Sequence, residues 1–351
     1  MIDFAQLHLS GNIGLFIGAA IVVWIAGTRI ARYADEISVH TGLGHALLGL
    51  LLLGGVTSLP ELAVSLSAAA SGSAALAVNN ILGGVTMQVA ILAVADFAIG
   101  RRALTSVVPD PVVILQGSLN VLLLTLVPTA ILVGDMAIFG VGAWSWAILA
   151  LTIGSLYMLS RSEGRQPWLA SNLKQTSRSS KNTDSAPRKS QQSLTSVLVK
   201  TTVAAAAILI AGYIISSTAE IIAEQTGLGQ SFVGAVLVAI STSLPEISTV
   251  LSAVRLGLYT MAISDILGTN LFDVGLLFAV DAVSAGEPVL NSAGRFSAVA
   301  ALLGIAVTTL FVIGLAERRD RTIFRMGVDS ALVLAVYFGG LVLLYTLRDA
   351  S

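Results

Sequence analysis

Two identical pentapeptides, Thr57-Ser58-Leu59-Pro60-Glu61 and Thr242-Ser243-Leu244-Pro245-Glu246, sit inside long apolar runs. Each joins a proline, which cannot continue a helical ladder, to an ionisable glutamate. Proline lacks an N–H, and its ring clashes with the carbonyl four residues back. Pro60 therefore frees the carbonyl of Val56 and disturbs that of Thr57, and Pro245 does the same to Ser241 and Thr242. In lipid an unpaired carbonyl costs several kcal/mol, so such a break persists only where the group is satisfied again or lines a cavity. A bound cation would satisfy it. The hydroxyls of Thr57, Ser58, Thr242 and Ser243 stand beside the breaks and offer further oxygens.

A carboxylate at the bilayer centre costs about 2.5–3.5 kcal/mol on insertion scales. Hydropathy places at least three there, Glu61, Glu246 and Asp265, with no Lys or Arg in the central part of any predicted span to pair with them. Unpaired carboxylates repel strongly at low dielectric, so these require protons or bound cations. Cys is absent from the chain and the three His lie near span ends. Oxygen-only ligands suit hard ions such as Ca²⁺, Na⁺ or Mg²⁺, and Ca²⁺ takes roughly 6–8 oxygens at about 2.3–2.6 Å. Two glutamates, freed carbonyls and hydroxyls can supply that number. Asp273, two turns beyond Asp265, either lines an aqueous passage or makes a polar contact nearer the helix end; Asp96 and Asp281 read as interfacial.

The elements that must position these groups are membrane spans. Of 351 residues 55% are hydrophobic and 11% charged, with mean hydropathy +0.88, against roughly 25% charged in a soluble domain. Hydropathy gives ten helices of a polytopic all-α membrane protein, over 12–32, 43–68, 72–98, 111–133, 136–159, 197–217, 228–253, 257–283, 296–316 and 327–347. The N-terminus lacks a basic region and a small-residue cleavage site, so the first span is expected to stay. The polar, Ser- and Lys/Arg-rich stretch 160–196 reads as a disordered linker between a first unit, 1–159, and a second, 197–351. Counting loops from the first span, 17 of the 19 Lys and Arg fall on one side, Arg29 and Lys200 among them. By the positive-inside rule both termini face outward and the linker is cytoplasmic.

The chain also matches itself at an offset of 185. TGLGHALLGLLLLGGVTSLPEL (41–62) aligns without gaps on TGLGQSFVGAVLVAISTSLPEI (226–247), with 11 of 22 positions identical. In the same register Asn80 falls on Asp265, Gly83 on Gly268 and Asp96 on Asp281. Asn80 is neutral where Asp265 is acidic, so the paired site is asymmetric in charge. Five helices per copy is an odd number, so the copies enter the membrane in opposite senses. Such inverted repeats mark secondary transporters whose sites lie at midplane on interrupted helices.

Repeated TSLPE, followed about twenty residues later by a Gly-containing polar segment, resembles the calcium/cation antiporter superfamily, in its sodium/calcium exchanger branch. The resemblance implies ten helices in two inverted five-helix repeats. It implies Glu61 and Glu246 as the principal calcium ligands, with oxygens from Thr57, Ser58, Thr242 and Ser243, and Asn80 and Asp265 completing the site. SDILGTNLFDV in the second copy fits the family's pattern apart from Ser264, while NNILGGVTMQV in the first departs from a usual GNVIGSNIFNI. The implied activity is exchange of Ca²⁺ for Na⁺ by alternating access in the plasma membrane, with proton coupling as the alternative and a cation channel as a further rival. The expected partners are transported cations and the lipid bilayer, with no nucleic acid, no cofactor and no enzymatic role.

Overall fold

The computed structural model describes residues 4–41, 57–99, 102–108, 110–162, 193–255, 257, 259–284, 286–319, 321–323 and 325–347. After a 3₁₀ turn at Phe4–Gln6 the first half comprises α1 (Leu9–Thr41), α2 (Leu59–Ala70), α3 (Ala74–Ile99), the single turn α4 (Leu104–Val107), α5 (Val112–Val133), a hairpin of β1 (Ala137–Ile138) and β2 (Val141–Gly142), and α6 (Ala143–Ser162). The second half runs α7 (Leu194–Thr226), α8 (Gln230–Thr242), α9 (Leu244–Arg255), α10 (Tyr259–Val283), the single turn α11 (Val289–Ser292), α12 (Arg295–Glu317), a hairpin of β3 (Thr322–Ile323) and β4 (Met326–Gly327), and α13 (Val328–Thr346). Shifting the bounds of α1, α2, α4 and the first hairpin by 185 gives those of α7, α9, α11 and the second hairpin. The internal repeat read from sequence is thus also a repeat of elements.

Eight of the described helices are long and apolar enough to cross a bilayer, and α8 with α9, bent by 46° at their junction, makes a ninth where the pair is counted as one span. The expected span 43–68 is represented by α2 alone, because 42–56 lie outside the described residues, as do 163–192 of the expected linker. Packing is layered. α3 is buried along nearly its whole length and α10 along most of it, whereas α1, α6, α7 and α13 present mainly apolar side chains outward. α1 and α7 run antiparallel: Gln225 Nε2 donates to the carbonyl of Leu7 at one end, and Ala26 packs with Ala204 and Ile208 at the other.

The broken helices follow from local chemistry. Ser58 is the N-cap of α2, and Pro60 occupies its first turn, where a missing N–H costs nothing. In the second half α8 ends at Thr242, Ser243 bridges, and α9 opens with Leu244 and Pro245. α8 also widens into a π-helical turn over Gly234–Val238. That turn presses on α3 through two glycines. A Cβ on Gly83 would lie 2.2 Å from the carbonyl oxygen of Ala235, and one on Gly234 would lie 2.7 Å from that of Leu76.

Asp96 and Asp281 are buried rather than interfacial, and each ties one half to the other. Asp96 accepts from the N–H of Leu104 at 2.6 Å and from that of Gly327 at 2.7 Å. Asp281 accepts from the N–H of Val289 at 2.8 Å, the N–H of Gly142 at 2.8 Å and the hydroxyl of Ser145 at 2.6 Å. Each carboxylate therefore caps the short helix of its own half and holds the hairpin of the other. Asp281→Ala would strand three buried donors, at about 1–3 kcal/mol each. A clear fall in the thermal midpoint of the detergent-solubilised protein is expected, and a smaller one for Asp281→Asn, which keeps an acceptor oxygen.

Candidate cation site

The eight residues singled out in the sequence are all buried. Glu61 and Glu246 stand in the first turns of α2 and α9, just after the breaks. Ser243 donates toward Glu61 Oε1 at 3.4 Å, and Thr242 toward the side-chain oxygen of Asn80 at 3.4 Å. Thr57 reaches Thr269 at 3.5 Å. All three contacts cross between halves, so the pentapeptide repeats meet at the centre of the molecule. Asn80 is fixed by donating to Ser65 Oγ at 3.0 Å.

Asp265 stands somewhat apart. It accepts from Thr249 at 2.6 Å, a neighbour in its own half. The more central acid is Asp273, whose two oxygens accept from Ser58 at 2.7 Å and from Gln88 Nε2 at 3.1 Å, both in the first half. Of the two roles the sequence left open for Asp273, it makes the polar contact, but from the middle of α10 rather than near its end. The signal that finds it is the register: Asp273 is Gln88 plus 185, so the two are pseudo-symmetric counterparts that meet across the centre. Gly84, the counterpart of Thr269, leaves room on the first-half side, where a Cβ would sit 3.9 Å from Ser243 Oγ.

Around this centre acceptors outnumber donors. Glu61 Oε2, both oxygens of Glu246, Asp265 Oδ1, and the side-chain oxygens of Gln88 and Asn270 are buried with no hydrogen-bond partner. The one ion pair among the described residues is the exposed Arg319–Glu317. No three His, Asp or Glu side chains among the described residues cluster tightly enough to chelate an ion on their own, so amide, hydroxyl and carbonyl oxygens would have to complete any coordination shell. Buried, orphaned oxygens with excess negative charge suit a hard cation and offer nothing to an anion.

The profile of the family "sodium/calcium exchanger protein" matches residues 11–170 and 196–347. The chain belongs to the sodium/calcium exchanger family. It is accordingly a multi-pass membrane cation antiporter and not an enzyme. It is 25% identical over 357 residues to the putative antiporter CaxA of Alkalimonas amylolytica, covering 96% of this chain and 99% of that one. Among solved structures the exchanger shares its fold with the H⁺/Ca²⁺ exchanger CAX, at TM-score 0.66 and 14% identity over 97% of this chain and 87% of that one. It shares it likewise with the sodium-calcium exchanger NCX_Mj, at TM-score 0.59 and 18% identity over 95% and 99%.

Buried carboxylates repel one another when ionised. At alkaline pH and without divalent cations, Glu246→Gln is expected to melt above the unmodified protein. Adding Ca²⁺ should raise the unmodified midpoint, with about 2.7 kcal/mol of stabilisation at a hundredfold excess over the dissociation constant, and should leave Glu246→Gln nearly unmoved. Differential scanning fluorimetry in detergent reads both.

Proposed function

We propose that this exchanger moves Ca²⁺ against Na⁺ or H⁺ by alternating access, with Glu61 and Glu246 as principal ligands. One observation carries the reading: two buried glutamates, one from each half, converge with unpartnered oxygens and, among the described residues, no basic side chain paired with them. On this reading Thr57, Ser58, Thr242, Ser243, Asn80 and Asp265 supply or orient further oxygens, and Asp273 joins them as the central acid of the second half. The nine described spans together with α2 fit ten helices, and the antiparallel α1 and α7 support two inverted repeats. The two stretches that match the family support boundaries near 1–159 and 197–351, with 160–196 a linker. The Lys and Arg distribution puts that linker in the cytoplasm and both termini outside, for a protein of the cell membrane.

Electrostatics supplies the cycle. The ionised, empty site gathers up to four carboxylates, Glu61, Glu246, Asp265 and Asp273, and closing it away from water without a cation is steeply unfavourable. Ca²⁺, or several monovalent cations, removes most of that cost. Occupied forms then switch between inward- and outward-open while the empty form resists. Two ions competing for overlapping oxygens give exchange rather than leak. NCX_Mj and CAX are named for calcium with different counter-ions, so both remain in the proposal.

Reconstituted vesicles loaded with Ca²⁺ test it. Glu61→Gln or Glu246→Gln should lower ⁴⁵Ca exchange to the level of protein-free vesicles. Asp265→Asn, which copies Asn80, should keep measurable exchange, while Asp273→Asn loses more. Undiminished flux in either glutamate variant overturns the assignment. Uptake driven by an outward Na⁺ gradient identifies sodium as counter-ion, and uptake driven by a pH gradient alone identifies protons. Flux indifferent to every counter-ion would mean a channel.

A further inference from the structure

Away from the centre, α1 and α7 enclose an apolar groove of about 400 Å³ that opens onto the membrane face, within the roughly 300–1,000 Å³ of ligand sites. Gly14, Gly18 and Val22 line it from one helix, and Ala207, Ala211 and Ile214 from the other. Gly14 and Gly18 do not serve close packing, because a Cβ on either would meet nothing within 4 Å. They leave depth instead. The groove is continuous with the exposed aliphatic side chains Ile17 and Ile21 of α1 and Leu209 of α7, the surface that faces lipid hydrocarbon.

The groove has a charged end. α1 and α7 are antiparallel with Ala26 beside Ala204 and Ile208, so Val22 lies near the level of Ile210 and Ala207 about one turn farther along; seven residues beyond Val22 on α1 and Ala207 on α7 stand Arg29 and Lys200. Seven residues is close to two full turns and about 10 Å of rise, so each basic residue continues the stripe that lines the groove. Both are exposed. An aliphatic slot with a cation about two turns beyond it on each flanking helix matches one ligand chemistry, an acyl chain attached to an anionic phosphate.

We infer that the α1–α7 groove is a binding site for an anionic phospholipid, its acyl chain lying over Gly14 and Gly18 and its phosphate held by Arg29 and Lys200. On the orientation proposed above, the lipid comes from the cytoplasmic leaflet, which carries the anionic headgroups. The lipid would bridge the first helices of the two repeats.

The experiment reconstitutes the full chain in mixed phosphatidylcholine–phosphatidylglycerol vesicles, extracts it, and measures retained lipid by native mass spectrometry. Because the readout is lipid and not flux, its failure is distinct from failure of the antiport reading. The unmodified protein should retain phosphatidylglycerol in preference to phosphatidylcholine. Arg29→Gln with Lys200→Gln should weaken retention roughly fivefold per residue, and Arg29→Lys with Lys200→Arg should preserve it. Gly18→Leu, or Ala207→Leu from the other helix, should displace the lipid with both cations intact; whichever variant elutes as a folded, monodisperse protein serves. Equal retention of both lipids, or unchanged phosphatidylglycerol retention in the Gln pair or in a folded groove-filling variant, overturns the inference.

Discussion

Negative charge buried in a membrane without its counter-charge is the constraint from which the rest of this structure follows. Glu61, Glu246, Asp265 and Asp273 are buried in the helical core, and none forms an ion pair with a basic side chain among the described residues. Removing a lone carboxylate from water costs several kcal/mol or more even after relaxation. A fold that keeps four of them must be able to recover that cost from something it does not itself contain. On the proposed reading that partner is the cargo, and the site is then unstable by construction when empty. The bend between α8 and α9 serves the same centre: Thr242 and Ser243 are buried there, with their hydroxyls directed at Asn80 and Glu61.

Holding such a centre open requires rigidity elsewhere. α3 and the π-turn of α8 touch backbone to backbone through Gly83 and Gly234, which fixes the level at which the two halves meet. Asp96 and Asp281 do a related task at the periphery. Their charge is compensated by backbone N–H groups and, for Asp281, a hydroxyl, so they are buried acids of the opposite kind from those at the centre. Number of donors, not depth, separates a structural carboxylate from one left wanting a cation.

Much of this was legible in the sequence because it rests on repetition and local chemistry. The doubled pentapeptide locates the start of α2 and the break between α8 and α9, and the offset of 185 reproduces the bounds of α1, α2, α4 and the first hairpin in the second half. Asp273 was only half legible. A carboxylate in an apolar helix looks the same in sequence whether it faces a passage or a neighbouring hydroxyl, and the choice is made by Ser58 and Gln88, which lie 215 and 185 residues away. Asp96 and Asp281 misled for the same reason. Their position near helix ends suggests a water-facing residue, but their partners Gly327 and Gly142 arrive on hairpins of the opposite half, which no local pattern announces.

The two copies have not stayed equal at the centre. At each of three paired positions the second copy holds the more polar or more acidic residue: Asp265 against Asn80, Thr269 against Gly84, Asp273 against Gln88. The first copy contributes one central carboxylate and the second contributes three. Had the copies remained identical in the acidic form, the core would carry six carboxylates, more charge than one divalent ion and its companions could offset in a dry site. Gln88 shows how the imbalance is used. Its amide donates to Asp273, so the neutral member of the pair supplies a hydrogen bond where a second acid would supply repulsion. The repeat brings two TSLPE turns together; on the proposed reading, divergence at these positions sets the charge there to what a cation can balance.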